Sequence, residues 1–292
     1  MKEIRGVITA MATPFEEGGA VDQAAALKLA AHLLDNGSHG LVISGSTGEA
    51  PTLTDEEAIV LVRAMRAELG DDALLICGTG TNDTRHSIEL TKGAAEAGAD
   101  AALIVTPYYN KPNPAGVQAH FEAIAAAIPN LPLIAYNIPS RVIVNVPPAQ
   151  LAELAKIDNV VAVKQANNED LQPIEGMDVL AGNDEIFLKT LEIGGAGGIL
   201  VASHLVGPQM REIWEAMQAG EVERAREIDA GLREVYAAMG VTTNPIPLKS
   251  ALEMLALIPT GTLRLPLVPA NAEQRATVRA ALESVGLRPV TK

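Results

Sequence analysis

The sequence predicts an α/β fold, a (β/α)8 TIM barrel with an appended C-terminal helical region. Three observations predict it. Short apolar runs rich in β-branched residues recur along the first two thirds of the chain, eight of them in all. Between them lie helical patterns with recognisable start and stop residues. After the eighth run the pattern becomes helical through to the end.

The runs, in order, are GVITAMA near 6–12, GLVISG near 40–45, ALLICG near 73–78 and AALIVTP near 101–107. LPLIAYN near 131–137, VVAVKQ near 160–165, DVLAGN near 178–183 and GGILVAS near 197–203 follow. Most are almost continuously apolar, as parallel strands covered on both faces must be. The helix after the second run opens on a capping box, Thr54 to Glu57, and stops at Gly70. The next is capped by Asn82, Asp83 or Thr84 and ends at Gly98. Pro114, and then Pro147 with Pro148, mark two further helix starts, where a missing N–H costs nothing. Alternating strand and helix imply a parallel sheet. Eight such units close naturally into a barrel, with an open doubly wound sheet as the alternative. The helical stretch at roughly 208–292 exceeds one barrel helix. The expected division is therefore a catalytic barrel at 1–222 and a C-terminal helical region at 223–292.

Composition excludes several function classes. With 48% hydrophobic and 20% charged residues among 292, a large core is available and disorder is not expected. A formal net charge of -14 argues against nucleic acid or an anionic membrane as partner. An anionic substrate would then need local positive charge. The single cysteine, Cys77, rules out an internal disulfide framework. The opening MKEIRGVITAMATPF lacks a signal peptide's organisation, and no apolar run is long enough to span a bilayer, so a cytoplasmic setting is expected.

Barrel enzymes build their sites where strands end at the C-terminal face. Those positions here hold GSTGE (45–49), TPYYNKP (106–112), YNIPSR (136–141), Lys164 and AGND (181–184). Three of the chain's four tyrosines fall in this set, which packing alone does not explain. Lys164 closes an otherwise apolar strand. Burial disfavours an ammonium, and a lysine so placed can act as a neutral amine that attacks a ketone to form a Schiff base. Tyr136 with Ser46 or Thr47 would supply the proton relay that such chemistry needs. The competing reading has Lys164 snorkelling out to a surface carboxylate. None of the five histidines falls in an HExxH spacing, so no metal is expected. GGAGG (194–198) precedes strand eight and reads as a tight turn at the opposite end of the barrel, and GTGTND near 78–83 matches no phosphate-binding motif.

Together GSTGE, TPYYNKP, YNIPSR, Lys164 after its apolar strand, and NPIPLK near 244–249 resemble the dihydrodipicolinate synthase family along essentially the whole chain. GSTGE and the lysine are shared with the wider superfamily of N-acetylneuraminate lyases and 2-keto-3-deoxy-sugar-acid aldolases. The arginine of YNIPSR, the paired tyrosines and NPIP point more narrowly to the synthases. The resemblance implies that Lys164 forms a Schiff base with pyruvate and that Tyr136 shuttles protons at the imine. It also implies that Thr47 links Tyr136 to Tyr109, with Ser46 beside it where many members have a second threonine. Arg141 would bind the carboxylate of L-aspartate 4-semialdehyde, and Gly182 and the backbone at Leu200 would flank the pyruvate. The implied reaction yields 4-hydroxy-tetrahydrodipicolinate for lysine biosynthesis and uses no cofactor. A sugar-acid lyase on the same scaffold is the alternative, and a non-catalytic binding paralogue a more distant one. Read as an extended segment, Tyr108–Tyr109 would point its side chains to opposite sides. In the family the second tyrosine crosses a tight dimer interface, which implies a homotetramer built as a dimer of tight dimers.

Overall fold

Eight parallel strands follow the eight apolar runs: β1 Gly6–Ala10, β2 Gly40–Ile43, β3 Leu74–Gly78, β4 Ala101–Val105, β5 Leu133–Asn137, β6 Val160–Gln165, β7 Asp178–Ala181 and β8 Gly197–Leu200. They close in chain order into a barrel in the computed structural model, which describes residues 2–290. Closure occurs where β8 pairs with β1, Gly6 against Gly197. The two backbones approach so closely that a Cβ on Gly197 would lie 2.1 Å from the Gly6 carbonyl oxygen. No other residue fits there.

Alternation along each strand divides the side chains between two environments. Ile8, Val42, Ile76, Leu103, Ile134, Ala162, Leu180 and Ile199 meet inside the barrel. Leu41, Leu75 and Cys77 on one side, and Ala102, Leu133 and Val163 on another, pack outward against helices. Both faces are apolar, which is why the strands read as continuous hydrophobic runs. The same parity aims Tyr136 inward with Ile134, and Lys164 inward with Ala162.

The helices start where their caps predict. The Thr54–Glu57 capping box opens α2, Asp55–Leu69, after α1, Gln23–Asp35. Asp83 caps α3, Thr84–Glu96, by accepting the Arg85 and His86 N–H groups, and so resolves the three candidates there. Asn113 caps α4, Pro114–Ala127. A short turn of helix, α5 Pro139–Val142, precedes α6 Pro148–Leu154. GGAGG forms the tight turn from α7, Phe187–Glu192, into β8.

Beyond the barrel come α8 Ser203–Gln218, α9 Val222–Gly231, α10 Arg233–Met239, α11 Ile246–Met254 and α12 Ala272–Ser284. Val235, Leu252 and Val278 from these helices join Leu29, Leu41 and Val62 of the barrel in one core. The expected helical run is interrupted: 255–271 contains no helix. Pro259, Pro266 and Pro269 break the pattern there. Arg264 also pins the segment to the loops after β1 and β2 and to the start of α2, through both Glu57 carboxylate oxygens and the Gly19 and Thr52 carbonyls. The expected boundary at 222/223 falls at the first turn of α9. Positions 1, 291 and 292 of the expected divisions lie outside the described residues. Among those described, no helix is long and apolar enough to cross a membrane.

His204, buried in the first turn of α8, ties this helix to the end of β1. Its Nδ1 lies 2.8 Å from the Val201 carbonyl, which can only accept, so Nδ1 carries the proton. Its Nε2 then accepts the Ala12 N–H at 3.1 Å. Burial pulls the imidazole down to about 4 from 6.5, against the Val201 hydrogen bond that favours protonation. The unfolded chain therefore takes up a proton that the folded chain refuses. The stability that His204 contributes is intact above pH 6.5 and is lost as pH falls towards 4. Between those values wild type should lose stability faster than His204→Gln, by up to about 1.4 kcal/mol per pH unit, in urea titrations run at stepped pH. Parallel slopes for the two proteins would show that His204 is already charged.

Candidate active site

Tyr136 and Lys164 are register partners on adjacent strands, β5 and β6, and both point into the barrel near its C-terminal mouth. Each is 5% exposed. The Lys164 Nζ lies 4.3 Å from the Tyr136 ring centroid, within range of a cation–π contact when the amine is protonated. Among the described residues no carboxylate forms an ion pair with Lys164, so the snorkelling alternative is not what the structure shows. The lysine is presented to the barrel's interior with its nitrogen uncommitted to any acceptor.

Thr47 follows β2 in a turn with an unusual backbone. Ser44 and Glu49 both have positive φ, 55° and 58°, although neither is glycine. Each such residue costs about 1–3 kcal/mol and persists only where its surroundings enforce it. Glu49 supplies the enforcement. Its buried carboxylate lies 2.5 Å from the Lys249 Nζ of α11 and accepts the Arg264 N–H at 3.0 Å. Lys249 also donates to the Thr262 carbonyl at 2.8 Å and lies 4.0 Å from the Phe15 ring centroid. The Arg264 guanidinium lies 4.5 Å from the same centroid. Burial pulls the Lys249 ammonium down to about 8, and the Glu49 carboxylate opposes that shift. GTGTND serves this turn too: a Cβ on Gly78 would lie 2.3 Å from the Ser44 carbonyl oxygen. The glycine is there for close backbone approach, not for a phosphate. Ser46, half-buried, contributes its carbonyl to the Glu49 N–H at 3.1 Å.

Arg141 sits on α5, exposed, and its Nη2 donates to the Asn244 carbonyl at 3.1 Å. The loop that carries it is held from within the sheet. Asn137, next to Tyr136, donates to Gln165 Oε1 at 3.0 Å and to Asn145 Oδ1 at 2.9 Å, and accepts the Val146 N–H at 3.0 Å. Asn244 also reaches back to the GSTGE turn: its Nδ2 donates to Thr47 Oγ1 at 2.9 Å.

Gly182 follows β7 and donates its N–H to the Gln165 carbonyl at 2.7 Å. A Cβ there would lie 2.7 Å from Ala166 Cβ. Leu200 ends β8; its side chain packs outward with the helices, which leaves its backbone as the group at the mouth. Just beyond it the buried Asp184 carboxylate accepts the Val201 and Ala202 N–H groups at 2.9 and 3.1 Å. Burial pushes this carboxyl up to about 6, against those two N–H groups and the Lys164 charge.

Tyr109 stands apart from this cluster. It is 87% exposed, and the expectation of an extended segment does not hold. The Asn110 N–H bonds the Tyr108 carbonyl at 2.9 Å, a three-residue γ-turn that places Tyr109 at φ 72°. That local hydrogen bond, with Asn110 Nδ2 on the Asn82 carbonyl at 2.7 Å, overrides the extended reading. The residues that reading the sequence left without a role are Glu49, Asn137, Gln165, Asp184, Asn244 and Lys249. Two of the motifs, GSTGE and NPIPLK, contained the signal for three of them.

The chain matches the sequence model of the Dihydrodipicolinate synthetase family over residues 3–285. A 4-hydroxy-tetrahydrodipicolinate synthase from Synechococcus elongatus is 46% identical over 288 residues, 96% of each chain. A solved structure of the chloride-inhibited dihydrodipicolinate synthase from Acinetobacter baumannii, complexed with pyruvate, superposes at a TM-score of 0.93 with 36% identity, covering 98% of this chain and 100% of that one. Another solved structure, described as a monomeric dihydrodipicolinate synthase variant, superposes at 0.90 with 36% identity and 97% coverage of both chains.

The Glu49–Lys249 pair makes a quantitative prediction. Lys249→Met strands a buried carboxylate and should cost about 3–5 kcal/mol of unfolding free energy. Adding Glu49→Gln should recover part of that loss, because the stranded charge is gone. Denaturant titration of the two single variants and the double variant measures the coupling, and additive losses would show that the ions do not depend on each other.

Proposed function

We propose that this chain, which belongs to the dihydrodipicolinate synthetase family, condenses pyruvate with L-aspartate 4-semialdehyde to 4-hydroxy-tetrahydrodipicolinate, the lyase-class step of lysine (diaminopimelate) biosynthesis. The observation that supports it most directly is Lys164, buried at a strand end over the Tyr136 ring and paired with no carboxylate. The synthase name carried by the relative above favours this reading over the sugar-acid lyase alternative.

The chemistry follows from the arrangement. The neutral Lys164 amine adds to the pyruvate ketone, and loss of water gives an imine whose protonated form draws electrons from the neighbouring methyl group. Removal of a methyl proton yields an enamine, whose carbon attacks the aldehyde of the second substrate. The substrate's own amine then displaces Lys164 as the ring closes, and the enzyme is regenerated. Tyr136 takes up and returns protons at the imine nitrogen and at the new hydroxyl, with Thr47 next in the relay. Gly182 and the Leu200 backbone bound the pyruvate, and Ser46 lies alongside Thr47. Arg141 grips the semialdehyde carboxylate with two charge-assisted bonds, which gives an acidic protein a local cation for an anionic substrate. The residues of 223–292 belong to the same functional unit as the barrel at 1–222, because Asn244 and Lys249 reach into the site. The enzyme works in the cytoplasm, with no cofactor.

The exposed tyrosine on its γ-turn fits a site shared between subunits. Tyrosine is enriched at protein interfaces, where its ring is buried and its hydroxyl finds a partner. In this reading Tyr109 enters the partner's relay at Thr47, the exchange is reciprocal across a two-fold axis, and tight dimers pair into a homotetramer.

Borohydride added with pyruvate should leave a mass adduct on Lys164 and abolish turnover, and Lys164→Ala should give no adduct while remaining folded. Coupled assays of the condensation, run beside cleavage of N-acetylneuraminate and 2-keto-3-deoxygluconate, should show the synthase reaction as the principal one. An unmodified Lys164 in peptide maps would sink the Schiff-base mechanism.

Tyr109→Phe should reduce turnover and leave assembly unchanged, since it removes only a hydroxyl. Mixing Tyr109→Phe with Lys164→Ala chains should restore part of the activity, because one site of each hybrid dimer regains both groups. Full activity in an isolated monomer would overturn the shared site.

A further inference from the structure

Among the described residues Asn244 is the one that hydrogen-bonds both Thr47 and Arg141, and it does so with different atoms. Its side-chain nitrogen donates to Thr47 Oγ1 at 2.9 Å, and its backbone carbonyl accepts Arg141 Nη2 at 3.1 Å. These two partners lie in the loops after β2 and β5. Asn244 belongs to neither, but to the segment that leads into α11. Its position is fixed by the turn of helix that follows, where Lys249 is locked to Glu49 of the same GSTGE turn. The two segments are thus clamped twice, Asn244 to Thr47 and Lys249 to Glu49.

The direction of the first clamp has a chemical consequence. A hydroxyl has one proton to give and lone pairs to receive. An amide nitrogen can only donate. Thr47 Oγ1, buried, therefore accepts from Asn244, and its own proton is left to point elsewhere. The other amide atom, Oδ1, is buried and meets no donor among the described residues, so the bond to Thr47 is the one hydrogen bond of this side chain there.

We propose that Asn244 is a positioning residue that sets the polarity of the proton relay: by occupying a lone pair of Thr47 Oγ1 as a donor, it obliges the Thr47 proton to face the tyrosine side of the site. Its backbone carbonyl at the same time holds Arg141 in place, so one residue registers the relay against the group that grips the second substrate. This inference rests on the roles given to Thr47 and Arg141 above. It assigns Asn244 no contact with substrate.

The test uses Asn244→Asp, which keeps the side chain's shape but turns its donor into an acceptor. Thr47 would then donate to the new carboxylate, and the relay would lose its proton. Turnover should fall on the order of 10–100-fold, with the KM of each substrate within about twofold of wild type and with thermal unfolding little changed. Asn244→Ala, which removes the donor without reversing it, should be the milder variant, whereas a purely structural role would make the isosteric aspartate the milder one. In a Thr47→Val background neither substitution should lower turnover further, since non-additivity marks residues that act through one another. If Asn244→Asp does not fold, Asn244→Ala with and without Thr47→Val gives the same coupling. Wild-type turnover in Asn244→Asp would mean that Thr47 donates into this position, and additive losses with Thr47→Val would mean that Asn244 acts by another route; either result overturns the proposal. The rate of pyruvate trapping by borohydride separates this from the parent reading. Variants that slow trapping in a protein that never condenses the semialdehyde would leave Asn244 in its role and refute the synthase. A wild type that condenses normally alongside an equally fast Asn244→Asp would do the reverse.

Discussion

A carboxylate and an ammonium meet in the interior, Glu49 against Lys249, beside Phe15 and the Arg264 backbone. Buried ion pairs add little net stability compared with well-packed apolar groups, but each ion is strongly dependent on the other. What this pair secures is geometry. It holds a turn with two left-handed non-glycine residues, and that turn sets Thr47. It also anchors the start of α11, and with it Asn244. Through Asn244 the constraint extends to Arg141 on the far side of the mouth. The helices outside the barrel are thus part of the site's frame, and they share the barrel's core.

Precision in the site has two sources. Lys164 and Tyr136 stand on paired strand positions, where the closed sheet fixes backbone and register together. The groups on loops have no such ladder and are set by side-chain amides instead. Asn137 and Gln165, each one residue beyond an inward-facing site residue, point out of the barrel and hold the 138–146 loop by its backbone and by Asn145. Alternation along a strand thus assigns chemistry to one face and support to the other in consecutive residues. Asn137 uses both ends of its amide in this network, as donor and as acceptor, which favours a single arrangement of the loop over many.

The barrel was legible because burial on both faces writes each strand as an unbroken apolar run. Lys164 was legible for the same reason, as an ionisable residue at the end of such a run. Caps at Thr54 and Asp83 and the proline start at Pro114 are local patterns, and local patterns survive in the sequence. Glu49 and Lys249 were quoted within their motifs, yet nothing in either motif says that the other lies against it. Such pairings depend on tertiary closure and leave no periodicity. The turn at Tyr109 is not legible in the sequence because one backbone hydrogen bond, rather than residue type, decides its φ. The break in the helical pattern at 255–271 has a visible cause in its prolines, but its docking on the start of α2 depends on Arg264 finding Glu57, which only the fold reveals.

Thr47 and Asn244 are 197 residues apart in the chain and touch through a single hydrogen bond. During synthesis, every strand of the barrel, with the reactive amine of Lys164, leaves the ribosome before Asn244 does. A nascent chain at that stage could fold its sheet and bury its lysine, but its threonine would have no fixed orientation and its arginine no anchor. The catalyst is thus completed late, by the segment that also seals the core. Chains cut short in translation before Asn244 would carry the nucleophile with Thr47 and Arg141, but not the residue that orients those two.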